Sequence, residues 1–194
     1  MQIKKRITES ITVKNKILMD ENFIQKIESS ADMMISVLKE GGKIHFCGNG
    51  GSAADAQHLA AELSGRFLLE RPPLNAEALH CNTSYLTAVA NDYGFELVFS
   101  RLLKGIAKRG DLLVGLSTSG NSSNMINAYK TAKEMGVKII SLTGMSGGEM
   151  GKWSDILLNV PSSDCPRIQE AHIMMGHILC ELIENALFGE EYKV

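Results

Sequence analysis

The segment KIHFCGNGGSAADAQHLAAELS, residues 43–64, carries the pattern on which the fold prediction depends. Its first five residues form a short apolar run directly after Gly41 and Gly42, a glycine pair that is typical of the end of a helix. A glycine-rich turn follows, and from Ala53 to about Ser64 the apolar residues recur at helical spacing. The segment therefore predicts a buried strand, a tight loop and a helix.

The same order of apolar run, polar loop and helix recurs along the chain. Apolar runs lie at residues 112–116, 137–142 and 156–160, and a helix is predicted over 122–135. A further run at 77–81 is less apolar. Continuous apolar runs are typical of strands buried on both faces, and their alternation with helices favours a parallel sheet. We predict a three-layer α/β sandwich around a five-stranded parallel sheet.

Helices are predicted at both ends of the chain. Residues 4–40 contain few glycines and no proline, and their apolar positions fit one or two helices. The last third begins a long helix at Pro166, placed at the first position, where its missing N–H is tolerated. The apolar residues of this helix cover more of its circumference than contact with one sheet requires, so part of it is expected to pack against another subunit. They are Ile173, Met174, Ile178, Leu179, Leu182 and Ile183.

Composition limits the classes of function. A chain of 194 residues with 44% apolar content fits one domain, which we assign to residues 1–194. Lys and Arg number 20 against 22 Asp and Glu, so no strong field would attract nucleic acid or an anionic membrane. No apolar stretch approaches the roughly 20 residues of a membrane span, and the N-terminus lacks the apolar core of a signal peptide. We expect a cytoplasmic protein that holds any anionic substrate locally.

Two predicted loops have the chemistry of a phosphate site. In open parallel sheets, ligands bind beyond the carboxyl ends of the strands. The loop CGNGGS, residues 47–52, would let main chain approach a ligand closely. The loop STSGNS, residues 117–122, would offer hydroxyl and N–H groups at the start of a helix.

A plainer interpretation of both loops stays open. Glycine and asparagine are ordinary turn residues, and Ser122 alone would serve as a helix N-cap. The dinucleotide fingerprint G-x-G-x-x-G is not met, and the lysine of a nucleoside triphosphate loop is absent. These two classes of nucleotide site are poor interpretations of the sequence.

Candidate acid–base and metal-binding residues lie on two predicted helices. His58 and Glu62 are four residues apart, on one helix face. On the terminal helix, His172 and His177 are equally open to an ordinary structural role, since a lone histidine on an apolar helix is more often not a ligand. Gln169 and His177 would be about 12 Å apart along the helix axis and about 80° apart around it. They meet at one centre only if it lies between them, or if different subunits contribute them.

Five segments resemble the phosphoheptose isomerases of the sugar isomerase (SIS) family. They are, in order, CGNGGSAADAQHLAAELSGRF, NDYGF, GLSTSGNS, SLTGMSGG and PRIQEAHIMMGH. The resemblance covers about residues 40–188. It implies a flavodoxin-like SIS fold with N-terminal helices, residues 1–40, that contribute to oligomer contacts, and a homotetramer with active sites at subunit contacts.

The resemblance also implies a site and a reaction. The family isomerises sedoheptulose 7-phosphate to D-glycero-D-manno-heptose 7-phosphate through an enediol, the first step of bacterial heptose precursor synthesis. Glu62 and His177 would be the catalytic base and acid, and one Zn²⁺ per subunit would be held by these two residues with His58 and Gln169. Substrate contacts are expected from Asn49, Gly50, Gly51, His58, Glu62, Asn91, Asp92, Ser117, Thr118, Ser119, Ser122 and Gln169.

Two other functions are compatible with the same fold. A related subfamily binds a bacterial replication initiator protein without isomerase activity, but there we expect Glu62 and the final histidine to be replaced. A sensor that binds a sugar phosphate without turnover would have no use for an acid–base pair. Both residues are present here, which favours the enzyme.

Overall fold

The computed structural model describes residues 2–189 of the chain, and they form one α/β unit. The elements in this range are α1 Gln2–Leu18, α2 Glu21–Lys39, β1 Ile44–Gly48, α3 Gly51–Ser64, β2 Ala76–Ala78, α4 Thr83–Tyr93, α5 Val98–Ile106, β3 Leu112–Ser117, α6 Ser123–Met135, β4 Lys138–Thr143, β5 Ile156–Asn159 and α7 Cys165–Phe188. Short 3₁₀ helices lie at Phe95–Leu97 and Glu149–Trp153.

The strands form a parallel sheet in the order β2-β1-β3-β4-β5. The order reverses between β1 and β3, which are paired from Ile44 with Leu112 to Gly48 with Leu116. Ligands of open parallel sheets bind outside the carboxyl ends of the strands at such a reversal. The loops that follow β1 and β3 flank this point.

Helices cover both faces of the sheet. On one face α1, α2, α3 and α7 pack against a cluster that includes Phe46 and Val114. On the other face α5 and α6 pack against Cys47 and Leu113. Neighbouring strand residues thus point into opposite cores, as the pleat requires. The predicted three-layer sandwich, five-stranded parallel sheet and N-terminal helices are confirmed.

Three details differ from the sequence prediction. Helices α4 and α5 were not predicted; in α4 only Val89 is fully buried, and Tyr85, Leu86 and Ala90 pack partly buried against the same core cluster. Strand β2 is shorter than the predicted 77–81 and ends before His80. The terminal helix begins at Cys165 rather than Pro166, a difference of one residue that is common at helix ends.

The apolar residues of α7 divide between two environments. Leu179 and Ile183 are buried in the core of their own chain. Ile178 and Leu182, on another side of the helix, remain more than a third exposed, at 38% and 37%. Among the described residues, none of the helices is long and apolar enough to cross a bilayer.

Candidate active site

The loop between β1 and α3 has a backbone that its glycines make possible. Gly50 has φ of 57° and ψ of −124°, a backbone conformation that residues other than glycine rarely adopt. Helix α3 begins at the next residue, so its first N–H groups are directed toward the carboxyl edge of the sheet. This end of α3 is suited to an anion.

Asn49 is held by a side chain that the sequence analysis missed. Its Nδ2 donates to Asn124 Oδ1 and its Oδ1 accepts from Asn124 Nδ2, both at 2.9 Å. Asn124 is 2% exposed and lies in the first turn of α6. The reciprocal amide pair therefore ties the loop after β1 to the helix after β3. The sequence signal for this contact was the polar Asn124 near the start of the predicted helix 122–135.

Some hydroxyl groups of the loop between β3 and α6 are used in hydrogen bonds within the loop, whereas that of Ser122 does not cap the helix. Ser117 Oγ accepts from the N–H of Gly120 and Ser119 Oγ from the N–H of Asn121, both at 3.2 Å. Ser122 occupies the N-cap position of α6, but its hydroxyl makes no capping hydrogen bond. The N-cap interpretation thus accounts for the position of Ser122 and not for its side chain. Thr118 is partly exposed beside it.

The loop after β4 supports the β3–α6 loop from behind. The N–H of Gly144 donates to Thr118 O at 3.1 Å, and the N–H of Met150 donates to Gly120 O at 2.9 Å. The N–H of Glu149 donates to Asn121 Oδ1 at 2.9 Å. These bonds fix the main chain of residues 118–121, which the sequence could not specify.

Asn91 and Asp92 lie apart from the two loops. Both are exposed in the last turn of α4, where Asn91 Nδ2 donates to Asp92 Oδ1 at 2.8 Å. Within residues 2–189, no hydrogen bond or ion pair joins either side chain to the loops at 49–52 and 117–122. The structure of one chain does not bring them to the other predicted site residues.

His58, Glu62 and His177 come together where α3 crosses α7. A Cβ atom on Gly176 would lie 2.5 Å from Leu59 Cδ2, so the glycine permits a close approach of the two helices. One ligand atom from each of the three side chains lies within 4.8 Å of the others. The His58 side chain is 47% exposed and that of Glu62 25%, so the group is open to solvent. The predicted partnership of His58 with Glu62 is present, and His177 completes it.

Hydrogen bonding alone does not satisfy these three side chains. The Nε2 atom of His58 lies 2.9 Å from Glu62 Oε1 and 3.1 Å from His177 Nε2. Because this nitrogen carries at most one proton, it cannot donate to both neighbours, and it cannot accept from one while donating to the other. A cation bound by all three lone pairs removes the conflict. Imidazole nitrogen and carboxylate oxygen are accepted zinc ligands, so the residues fit such an ion.

Gln169 lies at the other end of the same region. Its side chain packs on the start of α3, where a Cβ atom on Gly51 would come within 2.6 Å of Gln169 Nε2. The amide therefore borders the glycine loop, two helical turns before His177 on α7. This arrangement agrees with the spacing argument that the two residues are not close neighbours.

Asp55 is a further acidic residue near the histidines, and sequence reasoning missed it. It precedes His58 and Glu62 by three and seven residues, so the spacing placed it on their helix face. Its Oδ2 is buried without a hydrogen-bond partner in the described structure. Burial raises the pKa of the Asp55 carboxyl, while the positive charges of His58 and His177, when protonated, oppose this effect.

His172 belongs to the core rather than to this site. It is fully buried, and its Nε2 lies 3.2 Å from Thr143 O, to which it donates in the tautomer that satisfies both groups. Burial lowers the pKa of His172 to about 4, so the ring is neutral. The structural interpretation of this histidine is correct.

Comparison with known proteins identifies relatives along nearly the whole chain. Residues 11–144 match the model of the SIS domain family. The phosphoheptose isomerase of Mycobacterium tuberculosis is 51% identical over 181 residues, which cover 93% of this chain and 92% of that protein. The phosphoheptose isomerase of Sulfurimonas denitrificans is 49% identical and covers 97% of this chain and 96% of its own.

A solved structure agrees in fold as well as in sequence. The phosphoheptose isomerase of Neisseria gonorrhoeae superposes with a TM-score of 0.89 at 43% identity, covering 95% of this chain and 97% of that one. This likeness extends through the N-terminal helices and α7, beyond the part that the family model matches. The chain therefore belongs to the SIS domain family and, within it, to the phosphoheptose isomerases.

Proposed function

We propose that the protein is an aldose–ketose isomerase that converts sedoheptulose 7-phosphate to D-glycero-D-manno-heptose 7-phosphate. The observation that carries the proposal is the convergence of Glu62, His58 and His177 where α3 and α7 meet. A carboxylate next to an imidazole, open to solvent, is the pair that proton transfer through an enediol requires. Heptose precursor synthesis is the pathway in which such a product is used.

Glu62 and His177 divide the proton transfers. The Glu62 carboxylate takes a proton from C1 of the ketose while the His177 imidazole donates one to the oxygen on C2, which gives the enediol. Glu62 then returns its proton to C2, and the hydroxyl on C1 gives its proton back to His177, which leaves the aldose. Each residue ends in the protonation state in which it began, so no other reactant is consumed.

The loops after β1 and β3 hold the substrate. Ser117, Thr118, Ser119 and Ser122, with the N–H groups at the start of α6, bind the phosphate. Asn49, fixed by its pairing with Asn124, and the main chain of Gly50 and Gly51 contact the sugar hydroxyls. Asn91 and Asp92 reach the substrate from a neighbouring subunit, because their own chain leaves them apart from the site.

His58, Glu62 and His177 would hold one Zn²⁺ per subunit, and Gln169 would be its fourth ligand if the ion lies between Gln169 and His177 or if a second subunit contributes one of the two. When bound, zinc supplies Lewis-acid polarisation of the substrate oxygens. The amide of Gln169 is an unusual fourth ligand, and modest metal affinity is expected from it. Glu62 and His177 are each assigned both a ligand and a proton-transfer role, so their contributions to catalysis must be measured together with metal content.

The proposal includes a cytoplasmic homotetramer built from one domain over residues 1–194, of which residue 1 and residues 190–194 lie outside the described part. Several apolar side chains support subunit contacts. Ile3, Ile7, Ile11 and Leu18 form an exposed stripe along α1. Helix α4 carries the exposed Asn91 and Asp92. A second chain that covers these surfaces would also complete the site.

Turnover of sedoheptulose 7-phosphate by the purified protein tests the proposal. We expect formation of the aldose 7-phosphate, detected by NMR of its anomeric proton, and none with a variant that lacks both Glu62 and His177. Exposed Ser29→Ala on α2 is a matched control that should retain full turnover. Binding of substrate without product formation would contradict the proposal and favour a sensor.

A further inference from the structure

A buried ion pair next to the site has no role in the proton transfers. Arg71, which follows the loop 65–70, pairs with Glu184 near the end of α7, with Nε and Oε1 2.7 Å apart. The Arg71 side chain is 0% exposed and that of Glu184 1%. A buried ion pair adds little to the free energy of unfolding relative to apolar packing. Its role is therefore inferred from the groups to which its two side chains are hydrogen-bonded.

Arg71 closes the end of α3 that carries Glu62. Its Nη2 donates to Glu62 O at 2.8 Å, and its Nη1 donates to Leu63 O at 2.8 Å and to Gly65 O at 3.1 Å. The last carbonyls of a helix lack partners within the helix, and a cation there also complements the helix dipole. The guanidinium thereby fixes the last turn of α3, where the Glu62 side chain begins.

Glu184 holds the loop 65–70 against α7. Its two carboxylate oxygens accept from the N–H groups of Phe67, Leu68 and Leu69 at 2.8 to 3.0 Å. Burial would raise the pKa of Glu184, but these three donors and Arg71 outweigh it, so its pKa lies below the ordinary value. The carboxylate is ionised, and its orientation is fixed by four donors.

The loop 65–70 places the aromatic ring of Phe67 at the site. Phe67 stacks on the His177 imidazole, with ring centroids 5.5 Å apart and planes inclined by 28°. Glu184 lies seven residues after His177, about two helical turns along the same face of α7. The pair, the loop and the stacked ring thus form one connection from Glu184 back to His177.

We propose that Arg71, Glu184 and Phe67 are positioning residues that set the orientation of the His177 imidazole and of the α3 turn that bears Glu62. This inference rests on the proposed function for its kinetic consequence. Without the connection, the His177 ring rotates about its side-chain bonds, and its Nε2 faces His58 for a smaller fraction of the time. The geometry of the reacting groups is then lost while the substrate loops are unaffected.

NMR of histidine labelled with ¹³C at Cε1 tests the orientation without reference to activity. The His177 signal is identified by its loss in His177→Asn. Removal of the stacked ring in Phe67→Leu should shift this signal, because the ring current of Phe67 disappears. Glu184→Gln should shift it in the same direction, whereas Phe67→Tyr, which keeps a ring, should leave it near its original position.

A second buried pair provides the control for destabilisation. His45 Nε2 and Asp111 Oδ2 lie 3.2 Å apart, with side chains 0% and 1% exposed, on β1 and directly before β3. Asp111→Asn should lower the Tm as Glu184→Gln does, but leave the His177 signal and kcat unchanged. In Glu184→Gln and Phe67→Leu at equal zinc content, kcat should fall about 10- to 100-fold with KM unchanged.

The outcomes separate the inference from the proposed function. Absence of turnover in the parent protein overturns the proposed function, while the NMR comparison still decides the inference. If Glu184→Gln does not fold, Phe67→Leu decides it, because Phe67 is only partly buried. An unshifted His177 signal in the folded variants, or a parental kcat in both, overturns the inference.

Discussion

The Nε2 atoms of His58 and His177 lie 3.1 Å apart, although 119 positions separate the two residues along the chain. Glu62 Oε1 lies 2.9 Å from the same nitrogen of His58. Three groups with lone pairs thus share one small volume in which a single proton cannot satisfy them. Both the metal prediction and the acid–base prediction follow from this arrangement.

Zinc should stabilise the protein through this group. A ligand that binds only the folded state at 100 times its Kd adds about 2.7 kcal/mol to the free energy of unfolding. After treatment with a chelator, we expect Zn²⁺ to raise the Tm of the parent protein and to restore turnover. His58→Asn and His177→Asn should lose the rise in Tm.

His80→Gln is the matched control for the zinc experiment, since His80 lies outside the three-residue group. It should keep the rise in Tm. An equal response of all three histidine variants to Zn²⁺ would exclude the proposed ligand set.

A negative charge in the β3–α6 loop should compete with the substrate. Ser119→Asp puts a carboxylate where we place the phosphate, so KM should rise by at least about 10-fold, with a smaller change in kcat. Ser29→Asp introduces the same charge on the exposed surface of α2 and should leave KM unchanged. Steady-state kinetics of both variants measure the change in KM. An unchanged KM in Ser119→Asp would show that the phosphate does not bind in this loop.

Acid should destabilise the fold through the buried His172. Its folded pKa, about 4, lies below the ordinary value of 6.5, so the unfolded chain binds the proton more readily between these pH values. The contribution of His172 to stability is therefore complete above about pH 6.5 and falls toward pH 4, by at most roughly 3 to 4 kcal/mol, since each pKa unit corresponds to about 1.4 kcal/mol. Urea unfolding across this range measures the loss.

His172→Gln should reduce the slope of stability against pH but not abolish it. Burial also lowers the pKa of His45, despite its hydrogen bond to Asp111, so a second group contributes in the same direction. A slope identical to that of the parent protein would show that His172 is not the group that titrates.

The exposed stripe on α1 should mediate assembly. Sedimentation at micromolar concentration is expected to show a tetramer, and Ile7→Lys should shift it toward smaller species because the charge would be buried in the contact. Thr12→Lys adds the same side chain on the opposite side of α1 and should leave the tetramer intact. A parent protein that sediments as a monomer would contradict the assembly.

Much of the fold could be predicted because the sequence patterns of its strands and loops are local. The apolar runs at β1, β3, β4 and β5 and the loops behind them appear directly in the sequence. Helix α4 was missed although Tyr85, Leu86, Val89 and Ala90 recur at helical spacing, because over 11 residues this pattern is short and only Val89 is fully buried. Partners of its exposed face are expected outside the chain, where a single sequence gives no direct signal.

The site could be predicted only in part. The spacing of His58 and Glu62 placed them together, and the same spacing would have included Asp55. Nothing local indicated that His177 joins them, because this contact depends on how closely α3 and α7 approach at Gly176. That His172 is in the core and His177 at the site likewise depends on how α7 is rotated against the sheet.

Glu62→Gln tests whether Glu62 carries the proton between the two carbons. The substitution keeps the size and shape of the side chain but removes the base. With zinc content measured on the same sample, we expect kcat for sedoheptulose 7-phosphate to fall by about 10²- to 10⁴-fold, the effect of a lost acid–base group, with KM changed little. Near-normal kcat in a folded, zinc-loaded Glu62→Gln protein would show that Glu62 is not the base.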